Sequence, residues 1–161
     1  MKDLDKLIKI LQDEKVLPVT YKHESEDGLV HAVIESAGDK LYGFDGECIY
    51  GGDSYAELIR EFDAVTRENR IDDISSSFDG EEAGIEVTVS GKVISQKWPQ
   101  EGDWVGDEFH ELLFEIEKEY SGSLLCLPDL DQCFYGVYFK SKEKVSEAGE
   151  CIKNIYYADY I

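Results

Sequence analysis

Residues 98–120 read WPQEGDWVGDEFHELLFEIEKEY, and this stretch holds the strongest helical pattern of the chain. From Asp107 to Tyr120, apolar residues recur at spacings of three and four, which is typical of a helix that packs one face on a protein core. Gly122 follows, and glycine often closes a helix. The pattern therefore predicts a core-facing helix over 107–120, whose apolar stripe is Phe109, Leu112, Leu113, Ile116 and Tyr120.

The opposite face of this predicted helix is acidic and carries one aromatic side chain. At 100° per residue, Phe114 lies well away from the apolar stripe and among carboxylates. Trp104 precedes the helix in the loop 99–106. Exposed aromatic side chains anchor interfaces, and an acidic rim would select a basic partner. We therefore predict a partner-binding surface, with further aromatic candidates in the tyrosines near the C-terminus (Tyr156, Tyr157 and Tyr160). Its residues are Asp103, Trp104, Asp107, Glu108, Glu111, Phe114 and Glu115.

The charge of the chain supports the same prediction. The 161 residues include 36 acidic and 16 basic side chains, for a formal net charge of −20. Residues 51–121 hold 19 of the acidic residues and only 6 of the basic ones. Such concentrated like charge opposes folding, and a basic partner would explain it because a focused negative field speeds association. An acidic surface that serves only solubility is the alternative.

The rest of the chain alternates helices with pairs of strands. An amphipathic N-terminal helix precedes a hairpin over 19–34, in which Val30, Ala32 and Ile34 alternate with polar residues. A second hairpin turns at Asp45-Gly46, a pair that suits a type I′ turn. A helix follows from Ser54, whose spacing to Glu57 is that of a capping box. Later strands lie within 71–98, 124–127 and 133–139, and a last helix runs from about Ser141 to Tyr157.

These elements predict an α+β fold with a mostly antiparallel twisted sheet and about four helices packed on it. Residues 1–161 are expected to form a single domain. Two smaller lobes, each with its own sheet and helices, are the alternative arrangement. The N-terminal segment is too charged for a signal peptide or a membrane span, so we expect a cytoplasmic protein.

Motifs for catalysis, cofactors and metals are missing from the sequence. No nucleophile motif, Gly-rich phosphate loop or CxxC pair is present, so we expect no enzyme activity, cofactor or metal. The two histidines of the predicted first hairpin, His23 and His31, would point to different faces. The four cysteines are expected to be buried thiols, with a Cys126–Cys133 disulfide as an open alternative. Clustered basic residues are also missing, so we expect neither nucleic acid nor an anionic membrane as a direct ligand.

A strongly acidic α+β domain without catalytic motifs resembles the bacterial immunity proteins that neutralise a polymorphic or contact-dependent toxin. The resemblance is one of type and is carried by no residue motif. It implies a toxin, often a nuclease, that presents a basic surface to the carboxylates of this chain. Three alternatives stay open at this point: a DNA mimic that inhibits a DNA-binding enzyme, an enzyme or small-ligand protein, and an acidic housekeeping domain without a basic partner.

Overall fold

The computed structural model describes residues 2–158 and divides the chain into two compact units. Unit 1 consists of the residues up to Gly43 together with those from Gly122 onwards, and unit 2 is Phe44–Ser121. The α+β class is confirmed, and the described residues contain five α-helices where about four were expected. The elements are α1 (Lys2–Asp13), α2 (Glu26–Ser36), β1 (Leu41–Asp45), α3 (Ser54–Thr66), β2 (Ile71–Phe78), β3 (Glu82–Val89), β4 (Lys92–Pro99), α4 (Asp107–Glu117), β5 (Ser123–Cys126), β6 (Cys133–Phe139) and α5 (Lys142–Tyr156).

Unit 1 packs three helices with a sheet in the order β1-β6-β5, of which it holds β5, β6 and residues 41–43 of β1. Strands β5 and β6 are antiparallel, with Leu125 opposite Val137. Both side chains are buried in one cluster with apolar residues of α1, α2 and α5. Burial of this apolar surface is the main force that holds the unit together. The cluster includes Leu7, Leu11, Leu29, Val33, Phe139, Ala148 and Ile152.

Unit 2 contains the second sheet, an antiparallel meander in the order β2-β3-β4. Val87 of the central strand lies opposite Ile74 on one side and Ile94 on the other. Along β3, Ala83, Ile85, Val87 and Val89 are buried, so this strand forms the centre of the sheet's inner face. Helix α3 contacts β2, and helix α4 contacts β4. The alternation read from residues 71–98 therefore predicted this part of the fold correctly.

The predicted hairpin over 19–34 is wrong, because residues 26–36 form helix α2. Ser25 caps this helix, and its hydroxyl accepts a 2.9 Å hydrogen bond from the Gly28 nitrogen. Glu26 and Asp27 then lie in the first turn, where carboxylates complement the helix dipole. Leu29, Val30 and Val33 face the core. The alternation that suggested a strand was incidental to this helical pattern.

The predicted type I′ hairpin at Asp45-Gly46 is also wrong. Asp45 ends β1, and its side chain accepts a 2.8 Å hydrogen bond from the Glu47 nitrogen, which turns the chain without a second strand. Strand β1 pairs instead with β6. The expected single sheet is therefore two three-stranded sheets, as in the alternative of two smaller lobes. Residues 1–161 as a single domain stay a prediction.

Gly122 does not close helix α4, which ends at Glu117. Its nitrogen donates a 2.9 Å hydrogen bond to the Tyr138 hydroxyl. A Cβ atom at position 122 would lie 2.0 Å from the Phe139 carbonyl oxygen. Glycine is therefore required here by the close approach of the β6 backbone and not by a helix cap.

Candidate functional site

Helix α4 of unit 2 presents the acidic face that the sequence indicated. Phe109, Leu112, Leu113 and Ile116 are buried on the inner side. On the outer side Phe114 is 40% exposed, as its helical angle predicted. Asp107, Glu111 and Glu115 are exposed around it, and Glu108 is partly buried. A helix of this length places these carboxylates along about two and a half turns of one surface.

Trp104 reaches the surface from the loop that precedes α4. Its side chain is 48% exposed, whereas Trp98 at the end of β4 is buried. Trp98 and Phe109 both contact Tyr55, with ring centroids 5.0 Å and 5.1 Å away, so these three rings belong to the core. Of the two tryptophans, only Trp104 is therefore available to a partner.

The Trp104 loop is bound edge to edge to the segment that follows β1. The Val105 nitrogen donates a 2.8 Å hydrogen bond to the Gly46 carbonyl, and the Ile49 nitrogen donates a 3.0 Å bond to the Asp103 carbonyl. Between these two bonds, Glu47 and Trp104 form an antiparallel bridge. Asp103 is partly buried at this junction. The ladder fixes the loop backbone and leaves the Trp104 indole on the outside.

Tyr50 is a surface aromatic that the sequence analysis missed. Its side chain is 77% exposed, and it follows Ile49, the residue that bonds to Asp103. The tyrosine hydroxyl donates a 2.6 Å bond to the Glu47 carbonyl. The sequence placed Tyr50 in a hairpin strand, and only the pairing of residues 46–49 with 103–105 brings it beside the Trp104 loop. No local pattern could have indicated this pairing.

The charge on the α4 surface is largely uncompensated. Within residues 2–158, Asp103, Asp107, Glu108 and Glu111 form no ion pair. Glu115 differs, because Lys118 lies 2.7 Å from its carboxylate and holds the pKa of that carboxyl below its usual value. Unit 2 as a whole carries 21 acidic and 6 basic residues, a net charge of −15.

A depression of about 270 Å³ opens between Trp104 and the start of α4. Carboxylate residues Glu101, Asp107 and Glu108 line it together with the indole. Asp107 and Glu108 also occupy the first turn of the helix, where they stabilise the exposed amides. An aromatic face beside several carboxylates suits an alkylammonium or guanidinium group, through cation–π and ionic contacts together.

Three other features were candidates for a site: the cysteines, groups of metal-ligating side chains and a second depression. All four cysteines are free, so the alternative of a Cys126–Cys133 disulfide is wrong. Among residues 2–158, no group of three or more His, Cys, Asp or Glu side chains could hold a metal ion. A depression of about 420 Å³ on the outer face of the β2-β3-β4 sheet is lined by polar residues, among them Ser75, Ser95 and Lys97.

The C-terminal tyrosines belong to unit 1. Tyr156 is partly buried and donates a 2.7 Å hydrogen bond to the Glu26 carbonyl. Tyr157 is 40% exposed. Tyr160 lies outside the described residues. Tyr156 and Tyr157 therefore belong to a different unit from Trp104 and α4.

Comparison with known proteins identifies no relative: no protein-family model, no curated protein and no solved structure matches this chain. Among the described helices, none combines the length and the apolar character that crossing a bilayer requires.

Proposed function

We propose that this chain is a cytoplasmic binding protein that neutralises a basic protein toxin, most simply a nuclease, in the manner of an immunity protein. The observation that carries the proposal is the exposure of Trp104 and Phe114 among carboxylates of which, within residues 2–158, only Glu115 has an ion-pair partner. Large aromatics are enriched among the residues that dominate binding energy. Two aromatic side chains exposed to water, and several carboxylates that repel one another, both oppose stability. A basic partner would offset both costs.

The chemistry of the surface specifies the kind of partner. In the described part of the chain no cation pairs with Asp107, Glu108 or Glu111, so a lysine or arginine of the partner would have no internal competitor for them. Trp104 offers an aromatic face at one end of this row, and Phe114 lies two helical turns beyond Asp107. A nuclease presents basic side chains where it holds the phosphates of its substrate. The carboxylates of α4 would occupy those positions and exclude the substrate.

Affinity capture with matched charge-reversal variants tests the proposal. The tagged wild-type chain is used to capture proteins from its own organism at low and at high salt, and retained proteins are identified by mass spectrometry. The test variant is Glu111→Lys/Glu115→Lys. The control is Glu57→Lys/Glu61→Lys on α3, which changes two exposed carboxylates of the same unit at the same i, i+4 spacing.

We expect the wild-type chain and the α3 control to retain one basic protein at low salt and the α4 variant to lose it. The purified pair should then show inhibition of the partner's activity, and its association rate should fall steeply with salt because exposed charges steer the encounter. Equal recovery of the basic protein by both variants would refute the assignment of the α4 surface. Retention of nothing basic at low salt would refute the proposed function itself.

A further inference from the structure

Gln100 is a buried polar residue at the base of the Trp104 loop, and all of its side-chain hydrogen-bonding capacity is used. Gln100 lies in unit 2, and only 5% of its surface is exposed. Oε1 accepts hydrogen bonds from the Tyr55 hydroxyl at 2.6 Å and from the Trp98 indole nitrogen at 3.2 Å. Nε2 donates to the carbonyls of Gly102, at 3.2 Å, and of Trp104.

The orientation of this amide is fixed by the chemistry of its neighbours. The indole Nε1 of Trp98 can only donate, so it must face the oxygen of the Gln100 amide. Backbone carbonyls can only accept, so those of Gly102 and Trp104 must face its nitrogen. The Tyr55 hydroxyl then donates to Gln100 and accepts a 3.0 Å bond from the Gly106 nitrogen. A flipped amide would lose the bonds to Trp98, Gly102 and Trp104, because the first can only donate and the other two can only accept.

These bonds hold the loop from the inside at both ends. The Gly102 and Trp104 carbonyls are drawn toward the core by Gln100, and the Gly106 nitrogen is held by Tyr55. Gly102 also has a backbone φ of +57°, a conformation that glycine adopts without strain. With its carbonyl bound inward, Trp104 has its indole left at the surface. These bonds and the glycine conformation thus favour a single shape of this loop.

We propose that Gln100 is a positioning residue, which fixes the place of Trp104 on the binding surface before any partner arrives. A preformed loop avoids the entropic cost of ordering when a partner binds. This effect on affinity rests on the proposed function. Gln100 itself would not touch the partner. Its removal should weaken binding through Trp104 while the carboxylates of α4 stay in place.

The test uses the full chain labelled with 5-fluorotryptophan, which contains two tryptophans and should give two ¹⁹F resonances. Trp104→Phe assigns them. In wild type both signals should be narrow. Gln100→Met removes all four bonds at similar side-chain length, and it should broaden or split the Trp104 signal while the buried Trp98 signal reports that the unit stays folded. Gln100→Glu is a second variant that keeps the acceptor for Tyr55 and Trp98 but loses both donors to the loop.

Trp98→Phe is the matched control, because it removes a bond to the same amide from the core side and leaves both loop bonds intact. Its Trp104 signal should stay narrow. If the Trp104 signal were equally narrow in wild type, Gln100→Met and Gln100→Glu, the positioning role would be refuted. Faster hydrogen–deuterium exchange of residues 101–106 in both Gln100 variants, but not in Trp98→Phe, is the expected second readout.

A titration with a nona-arginine peptide at low salt separates this inference from the proposed function. We expect the peptide to shift the Trp104 signal of wild type and to bind Gln100→Met about tenfold more weakly, since part of the binding energy must then order the loop. Equal affinity of both chains would refute the consequence for binding. Failure of the peptide to bind wild type would count against the basic-partner proposal, and the ¹⁹F line widths alone would still decide whether Gln100 positions Trp104.

Discussion

The hydroxyl of Tyr55 donates a 2.6 Å hydrogen bond to Oε1 of Gln100. This bond connects helix α3 to the residue whose amide binds the carbonyls of the Trp104 loop. The Tyr55 hydroxyl oxygen in turn accepts a 3.0 Å hydrogen bond from the Gly106 nitrogen. One phenol therefore bridges the two ends of the loop from within the core. Burial raises the pKa of Tyr55 above its usual value, which is already well above neutral pH. The shape of the Trp104 loop thus depends on a hydrogen bond buried beneath the candidate surface.

Replacing Tyr55 by Phe should lower the free energy of unfolding by about 1–3 kcal/mol, because Gly106 loses its acceptor and Gln100 loses one donor inside the protein. Urea denaturation followed by circular dichroism measures this change. The control is Tyr50→Phe, whose hydroxyl bonds to a backbone carbonyl at an exposed site, and we expect a change below about 0.5 kcal/mol. Equal stability of wild type and Tyr55→Phe would show that the network contributes nothing.

Two glycine-to-alanine substitutions should have opposite effects. Gly122→Ala should destabilise the protein by about 2–3 kcal/mol, because its Cβ would meet the Phe139 carbonyl oxygen and the β6 backbone would have to move. Gly149→Ala lies within α5, where a Cβ meets no atom within 4 Å. It should stabilise the helix by about 0.5–1 kcal/mol. Thermal unfolding of both variants gives the comparison, and a harmless Gly122→Ala would contradict the close approach described here.

The Cys48 thiol should react slowly with alkylating reagents. Burial, and then the negative charges of Asp45 and Glu61, raise its pKa from 9.0 to about 11. At pH 8 its thiolate fraction is about a hundredfold below that of an ordinary thiol, since each pKa unit is a factor of ten. Iodoacetamide labelling with peptide mass spectrometry measures the rate, and the same chain in urea is the control.

The pH dependence of this reaction follows from the same shift. The labelling rate of Cys48 in the folded protein should keep rising beyond pH 9 and level off only near pH 11. Because the folded-state pKa is the higher one, the contribution of this thiol to stability is complete below pH 9 and is lost as the pH rises towards 11. A rate that levels off at pH 9 would contradict the raised pKa.

Tyr50 should contribute to partner binding although it lies far from α4 in sequence. Tyr50→Ala should weaken the complex with the captured basic protein by about tenfold, as expected when an exposed aromatic anchor is truncated. Val93→Ala is the control, because Val93 is 61% exposed in the same unit but lies on the outer face of β4. Isothermal titration calorimetry measures both affinities, and an equal loss in both variants would remove Tyr50 from the surface.

Local patterns predicted the elements that bury one face and expose the other. The helical spacing of 107–120 predicted which side chains of α4 are buried and that Phe114 is exposed. The alternation of 71–98 predicted two or three strands, and unit 2 has three, because a strand with one buried face repeats every two residues. Patterns of this kind report burial directly, so they needed no information about distant parts of the chain.

The errors arose where local patterns were ambiguous or pairing was remote. The segment 26–36 has both a short alternation and a helical stripe, and its Ser25 cap and core contacts favour the helix. Strand β1 could have paired with the residues that follow it, but its partner is β6, which comes much later in the chain. Such a choice depends on the total apolar surface buried in the folded state, which no short segment contains.

The sequence by itself determined the composition of the candidate surface: the excess of carboxylates, the outward angle of Phe114 and the presence of Trp104 before a helix. Only the tertiary structure decided that Trp98 is core while Trp104 is exposed, that Tyr50 is exposed next to the segment paired with the Trp104 loop, and that Gln100 bonds to the loop carbonyls. The physical reason is that these features depend on hydrogen bonds between residues distant in sequence, such as Tyr55 and Gln100, 45 positions apart. Those bonds exist only once burial of the core has brought their donors and acceptors together.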